Sequence, residues 1–189
     1  PYGYLSSLDK NTAPGGFNPS IDVFELNAVV DNQPTIEKAH QLWSQGLPYY
    51  YTAGSDTHDV WNQTSGLNRM FVYTGSKPSA KAFAQAMKNG RSYVSFGPII
   101  YPQNIMFGDT VKLAEAQLIG AATKTKGEVK NQNASIDISG GVNSKVLRQQ
   151  ALSGDSETIT FNLPNASGWV ALEVEDMQGH KAYSNPIWL

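Results

Sequence analysis

Tyr49-Tyr50-Tyr51-Thr52-Ala53-Gly54-Ser55-Asp56-Thr57-His58 decides how this chain is read. An aromatic, β-prone run ends in two small residues, and an acid and a histidine follow two positions apart. That order predicts a buried strand whose C-terminal end delivers Asp56 and His58. In α/β sheets and barrels, ligands and chemistry collect at that end. A carboxylate and a neutral imidazole are metal ligands at pH 7 without further activation. The plainer alternative is a turn in which Asp56 caps a helix start and His58 is incidental, because Asp-x-His alone is a short motif.

The residues upstream favour the ligand reading. Ile21-Asp22-Val23-Phe24-Glu25-Leu26-Asn27 predicts a mostly buried strand, with Glu25 near its end either a ligand or on the solvated face. Pro34 opens a helix and Gly46 closes it. Ile36, Ala39, His40 and Trp43 share one face of that helix, which makes His40 a packing residue. Strand–helix–strand in this order is a parallel βαβ unit, so Glu25, Asp56 and His58 are expected at one end of the sheet.

Downstream, a polar loop from Trp61 to Gly66 leads to a strand over Arg69–Thr74. Pro78 opens a second helix, which Asn89-Gly90 ends. Ala82, Phe83, Ala86 and Met87 give it a narrow apolar face suited to close packing on a sheet. Arg91–Phe96 is the next strand, and Gly97-Pro98 breaks it. From about residue 99 helix signals vanish. Short strands are expected near 101–107, 111–122, 134–139, 144–151, 157–163, 168–176 and 181–189, the pattern of an antiparallel sandwich. Asp176-Met177-Gln178-Gly179-His180 reads as a hairpin turn carrying a solvated His180. Glu173-Val174-Glu175-Asp176 reads as a strand edge or turn, and Trp169 and Trp188 as core. The fold class is therefore α+β, with α/β structure over 1–98 and antiparallel β structure over 99–189.

Composition narrows the function. With 189 residues, 40% hydrophobic and 16% charged, the chain can bury a substantial core. A formal charge of −2, from 14 basic and 16 acidic residues without a Lys/Arg cluster, argues against a nucleic-acid partner. The absence of cysteine excludes disulfides and thiolate metal sites but does not settle the compartment. No run approaches the ~18 apolar residues of a membrane span. The chain starts Pro1-Tyr2-Gly3 without an initiator Met, so it is expected to be the tail of a longer protein. A targeting segment would then lie upstream, which keeps a periplasmic or secreted location open.

Gly54-Ser55-Asp56-Thr57-His58 resembles the Gly-Ser-Asp-x-His signature of PHP (polymerase and histidinol phosphatase) metallohydrolases, in particular the CehA/McbA-like branch of carbamate and ester hydrolases. Further segments agree in order. Asp22–Asn27 is similar to that branch's Glu-bearing strand, followed by a helix with Trp43 and Gly46. Gly66-Leu67-Asn68-Arg69 is similar to its Gly-x-x-Arg approach to the next strand. Asn89-Gly90-Arg91-Ser92-Tyr93-Val94-Ser95-Phe96-Gly97-Pro98 is similar to its Gly-Arg-x-Tyr-Val-x-x-Gly-Pro segment, and Ser184-Asn185-Pro186-Ile187-Trp188 to its terminal Asn-Pro-Ile strand. Together they span nearly the whole chain.

The resemblance implies the C-terminal part of a PHP-type β/α barrel over 1–98, followed by a β-sandwich-like domain over 99–189. It implies that Asp56 and His58 are metal-binding and catalytic residues, Glu25 a further metal ligand and Arg69 a substrate contact. Divalent Zn, Mn or Fe would activate water to hydrolyse a phosphoester, ester or carbamate in a small-molecule substrate. The family's His-x-His pair is absent here, so the chain alone is expected to be inactive. Its open sheet edge would be covered by the missing N-terminal half or by another chain. The alternative is a non-catalytic module that binds carbohydrate or protein, with a degenerate PHP-like remnant, in which Tyr49, Tyr50, Tyr51 and Trp61 stack on sugar.

Overall fold

The computed structural model describes residues 23–63, 65–102, 106–110, 117–123, 134–140, 145–152, 156–162 and 168–189. Its first unit is the expected one. Strand β1 (Val23–Asn27), helix α1 (Gln33–Ser44) and strand β2 (Tyr50–Gly54) follow in order. The two strands pair in parallel, with Glu25 beside Thr52 and Asn27 beside Gly54. Ile21 and Asp22, at the start of the predicted strand, lie outside the described residues.

Local chemistry sets the bounds of α1. Pro34 sits in its first turn, where a missing N–H costs nothing, and Gly46 leaves the helix at φ 75°. Asn32, just before the helix, turns back instead of capping it. Its side chain accepts from the Asn27 N–H at 2.8 Å and donates to the Asn27 carbonyl at 2.9 Å, which holds the end of β1. The buried stripe of α1 is Ile36, Ala39, Leu42 and Trp43. It packs on Phe24 and Leu26 of β1, on Tyr49 and Tyr51, and on Val94, Trp169 and Ala171. Trp43 meets Trp169 edge-on at 5.0 Å, and its indole N–H donates to the Tyr49 carbonyl at 2.5 Å. His40 lies 4.7 Å from the Trp169 ring and 5.1 Å from the Trp43 ring, in the packing role expected of it.

The remaining strands are antiparallel. They are β3 (Arg69–Val72), β4 (Ser92–Ser95), β5 (Ile99–Pro102), β6 (Gln117–Thr123), β7 (Ala134–Gly140) and β8 (Lys145–Leu152), then β9 (Ser156–Asn162), β10 (Trp169–Glu175), β11 (Lys181–Ser184) and β12 (Ile187–Trp188). A seven-stranded sheet runs β3-β4-β11-β10-β7-β8, with β12 also on β10. A three-stranded sheet runs β5-β6-β9. The fold is thus α+β, dominated by antiparallel sheet, and no closed barrel is present among the described residues. Backbone pairing also runs across residue 98, since β4 joins β11 through Ser95–Ala182 and Tyr93–Ser184. Strands from both sides of residue 98 thus share the seven-stranded sheet, while β5, directly after it, belongs to the three-stranded one. No helix of the described residues is long and apolar enough to cross a membrane.

Two local expectations are corrected. Glu173 and Glu175 do not mark a sheet edge, because β10 is an interior strand between β11 and β7. They pair with Lys181 across β11, at 2.5 and 3.5 Å, and Asp176 opens the hairpin. Helix α2 (Ala80–Lys88) does not pack closely, since it buries only Ala86 and leaves Phe83 43% exposed. It links β3 to an antiparallel β4, and β3 is the edge strand, so a stripe of methyl groups finds little sheet to cover.

Strand β4 runs in the same sense as β2. Arg69 pairs with Ser95 while its neighbour Asn68 reaches Gly54, and Ser92 at the other end is tied through Asn185 to Tyr51. The C-terminal ends of β1, β2 and β4 therefore share one side of the molecule.

Candidate functional site

At that side β1 alternates. Phe24 and Leu26 face α1, so Glu25 stands on the opposite face, with Thr52 and Gly54 of β2. The Glu25 carboxylate lies directly over Gly54. A Cβ on Gly54 would be 2.4 Å from Glu25 Cδ and 2.5 and 2.7 Å from its oxygens. Asn27 Nδ2 donates to Glu25 Oε1 at 3.1 Å and fixes the carboxylate there. Gly54 is therefore the seat of Glu25 as well as the end of a strand. A glycine inside a strand pattern is the signal for such an approach.

Asn68 ties the two strand ends together. Its Nδ2 donates to the Leu26 and Gly54 carbonyls, both at 2.9 Å. Its Oδ1 is buried and has no hydrogen-bond partner among the described residues. Sequence reading missed this residue, since its partners lie 42 and 14 positions away.

Past the strand, Asp56 takes φ 54°, the one non-glycine residue with positive φ among the described residues. Asp tolerates this left-handed backbone better than most residues, and such strain gathers at functional sites. Asp56 Oδ1 and His58 Nε2 are 2.8 Å apart. The pair is accessible, with the His58 side chain 80% exposed. The following loop is held by its own polar groups. Gln63 Oε1 accepts the His58 and Asp59 N–H groups at 2.6 and 3.0 Å. Asp59 accepts from the Asn62 side chain and the Trp61 N–H, which hold its carboxyl below the usual range. Arg69 is exposed at the start of β3, next to Asn68.

A second Asp–His pair occupies the same sheet end. Buried Asp176 accepts from the Gln178 and His180 N–H groups through Oδ1, and its Oδ2 is 3.2 Å from His180 Nδ1. Gly97, just beyond β4, lets both residues approach: a Cβ there would be 2.8 Å from His180 Cβ and 2.9 Å from Asp176 Oδ2. His180 is half-exposed, in the turn where it was expected, but tethered.

The structure thus brings Glu25, Asp56, His58 and Arg69 to one end of the strands, with Asp56 and His58 in direct contact. Among the described residues no group of three or more His, Cys, Asp or Glu side chains is arranged to hold a metal ion. The donor types suit Zn, Mn or Fe, but the number falls short of the three or four protein ligands of ordinary sites. Tyr49, Tyr50 and Tyr51 are unavailable to stack on sugar, being 6%, 6% and 1% exposed and part of the core. Trp61 is 91% exposed and Val60 79%, in the loop that follows His58.

Comparison of the chain with protein-family models, curated proteins and solved structures finds no match.

Proposed function

We propose that this chain carries part of the centre of a PHP-type metal-dependent hydrolase, in which β1–α1–β2 is one βα unit of the barrel. Asp56 and His58 are two of its ligands, Glu25 is a further one, and Arg69 offers a guanidinium to an anionic group of a small-molecule substrate. The observation that supports this reading is the Asp56–His58 pair just beyond the end of β2, with the Glu25 carboxylate seated over Gly54 at the end of the same parallel strand pair. The unpaired Asn68 Oδ1 adds an acceptor that the protein's described residues do not use. Bound divalent ions would supply a water of lowered pKa for attack on a phosphoester, ester or carbamate. The chain's own residues would hold and orient: Asn27 fixes Glu25, and the left-handed turn at Asp56 presents its carboxylate beside His58.

Two or three ligands hold an ion weakly, so this chain alone is expected to be inactive, with the remaining histidines and the cover for its sheet edge supplied by additional sequence or a second chain. Elemental analysis without chelator, on this chain and on the longer protein, tests the reading. The longer protein should hold at least one ion and lose hydrolysis in His58→Ala while keeping its circular dichroism. A stoichiometric, tightly held ion in the 189-residue chain would overturn the idea of a shared centre. The exposure of Trp61 and Val60 favours a second reading, a non-catalytic module that binds carbohydrate or protein through this loop. Metal-free longer protein together with loss of partner binding in Trp61→Ala would select it.

A further inference from the structure

The opposite end of β3 and β4, away from Asp56 and His58, carries a cavity that the proposed hydrolase centre does not use. Phe71 and Tyr93, paired across β3 and β4, stack with centroids 4.8 Å apart and planes 7° from parallel. Phe107 stands edge-on to Tyr93 at 6.1 Å. With Ile99 and Ile100 these rings line a cavity of about 360 Å³. That volume lies at the lower end of the ~300–1,000 Å³ range of small-molecule sites. Tyr73 and Tyr101 also line it and are half-exposed, 52% and 50%.

Polar groups in the lining are few and mostly committed. Tyr93 Oη accepts the Ile100 N–H at 3.2 Å, and Ser92 Oγ accepts from Asn185 at 2.8 Å. Arg91 is the one charged side chain among the described lining residues. Among the described residues it makes a single contact, of 3.2 Å to Asp109 through one of its nitrogens, and it is 44% exposed. The guanidinium fork has five donors, so most of its capacity remains.

We propose that this cavity binds a planar aromatic carboxylate, with its ring against Phe71, Tyr73 and Tyr101, the accessible rings of the lining, and its carboxylate on Arg91. Flat rings and aliphatic walls select an aromatic body, and the planar guanidinium matches a carboxylate in two-point geometry. Asp109 beside Arg91 leaves the local charge near zero, which favours a monoanion over a phosphate dianion.

Calorimetric titration of the whole chain with 2-naphthoate, and with the neutral isostere naphthalene-2-methanol, tests this. One saturable site is expected, with the alcohol about tenfold weaker, the scale of one charge-assisted hydrogen bond. Arg91→Gln should weaken naphthoate about tenfold and leave the alcohol unchanged, again by the loss of that bond. Tyr101→Ala should weaken both ligands, and Trp61→Ala at the far end should change neither. Arg91 and Tyr101 are exposed enough for both variants to fold, which circular dichroism checks. Absence of saturable binding, equal affinity for acid and alcohol, or binding that neither cavity variant alters would overturn the proposal. So would binding that Trp61→Ala abolishes.

Discussion

Asn185 Oδ1 accepts the backbone N–H of Tyr51 at 2.7 Å across 134 residues of chain, and its Nδ2 donates to Ser92 Oγ at 2.8 Å. A side-chain amide thereby stands between β2 and β4, where neighbouring strands would otherwise exchange peptide hydrogen bonds. Asn185 is 0% exposed, so neither group it serves can turn to water instead.

Replacing it should be costly. Asn185→Leu leaves the Tyr51 N–H and the Ser92 hydroxyl without this partner, and a loss of about 3 kcal/mol in unfolding free energy is expected. Urea denaturation measures it. A loss below about 0.5 kcal/mol, the range of ordinary surface changes, would mean that the amide is no structural link.

Gly54 and Glu25 should be coupled. Gly54→Ala puts a methyl where the Glu25 carboxylate sits, and is expected to destabilise the protein by more than about 1 kcal/mol. In a Glu25→Ala background the space is open and φ is not in the left-handed region, so the same change should be neutral or gain ~0.4–1 kcal/mol by stiffening the unfolded chain. A double-mutant cycle reads the change of sign. Additive effects would show that Glu25 does not occupy that seat.

His40 should make stability fall in mild acid. Burial against Trp43 and Trp169 lowers its pKa from 6.5 to about 4, with Glu37 opposing in part. The folded state thus prefers neutral imidazole, and the unfolded chain binds the proton more readily. Its contribution is complete above pH 6.5 and is lost as pH falls from there toward 4. The total is on the order of 3 kcal/mol. Urea midpoints at pH 7 and pH 5 should show the fall, and His40→Leu should flatten it. An equal slope in that variant would assign the acid sensitivity to the carboxylates.

The Tyr51 hydroxyl is buried without a hydrogen-bond partner among the described residues. Burial, with Tyr183 and Glu173 nearby, pushes its pKa well up, so it remains protonated. Tyr51→Phe removes an unsatisfied group and is expected to raise stability by about 1 kcal/mol. A comparable loss in thermal or urea unfolding would reveal a bonded internal water in place of an orphan.

How much of this was legible in the sequence depends on the range of each interaction. The β1–α1–β2 unit could be read because its determinants are local: a β-prone aromatic run, a stripe at helical spacing, and Pro34 and Gly46 at the ends. The sheet order was not legible. That β10 lies inside the sheet, with β11 and β7 on either side, follows from pairing over distances that leave no period. The same holds for Asn68 and Asn185, polar residues whose value lies in distant carbonyl and amide groups. In the candidate site, Glu25, Asp56 and His58 could be placed at one strand end from topology alone, whereas Arg69, the first residue of its strand, stands there because β3 runs antiparallel to β4. The seat on Gly54 and the paired Asp176–His180 needed coordinates.

The packing of Trp169 on Trp43 sets an order of events during synthesis. Helix α1 can form early, but the lid on its apolar face is made from residues 169 and 171, far downstream. Until that stretch has left the ribosome, Trp43, Leu42 and Ile36 have no complete cover, and a nascent chain halted near residue 98 presents them to solvent and to chaperones. Contacts of such sequence separation are slow to form, and chains that await them are exposed to aggregation. Expression of residues 1–98 alone is therefore a poor route to the βαβ unit, however self-contained its sequence looks.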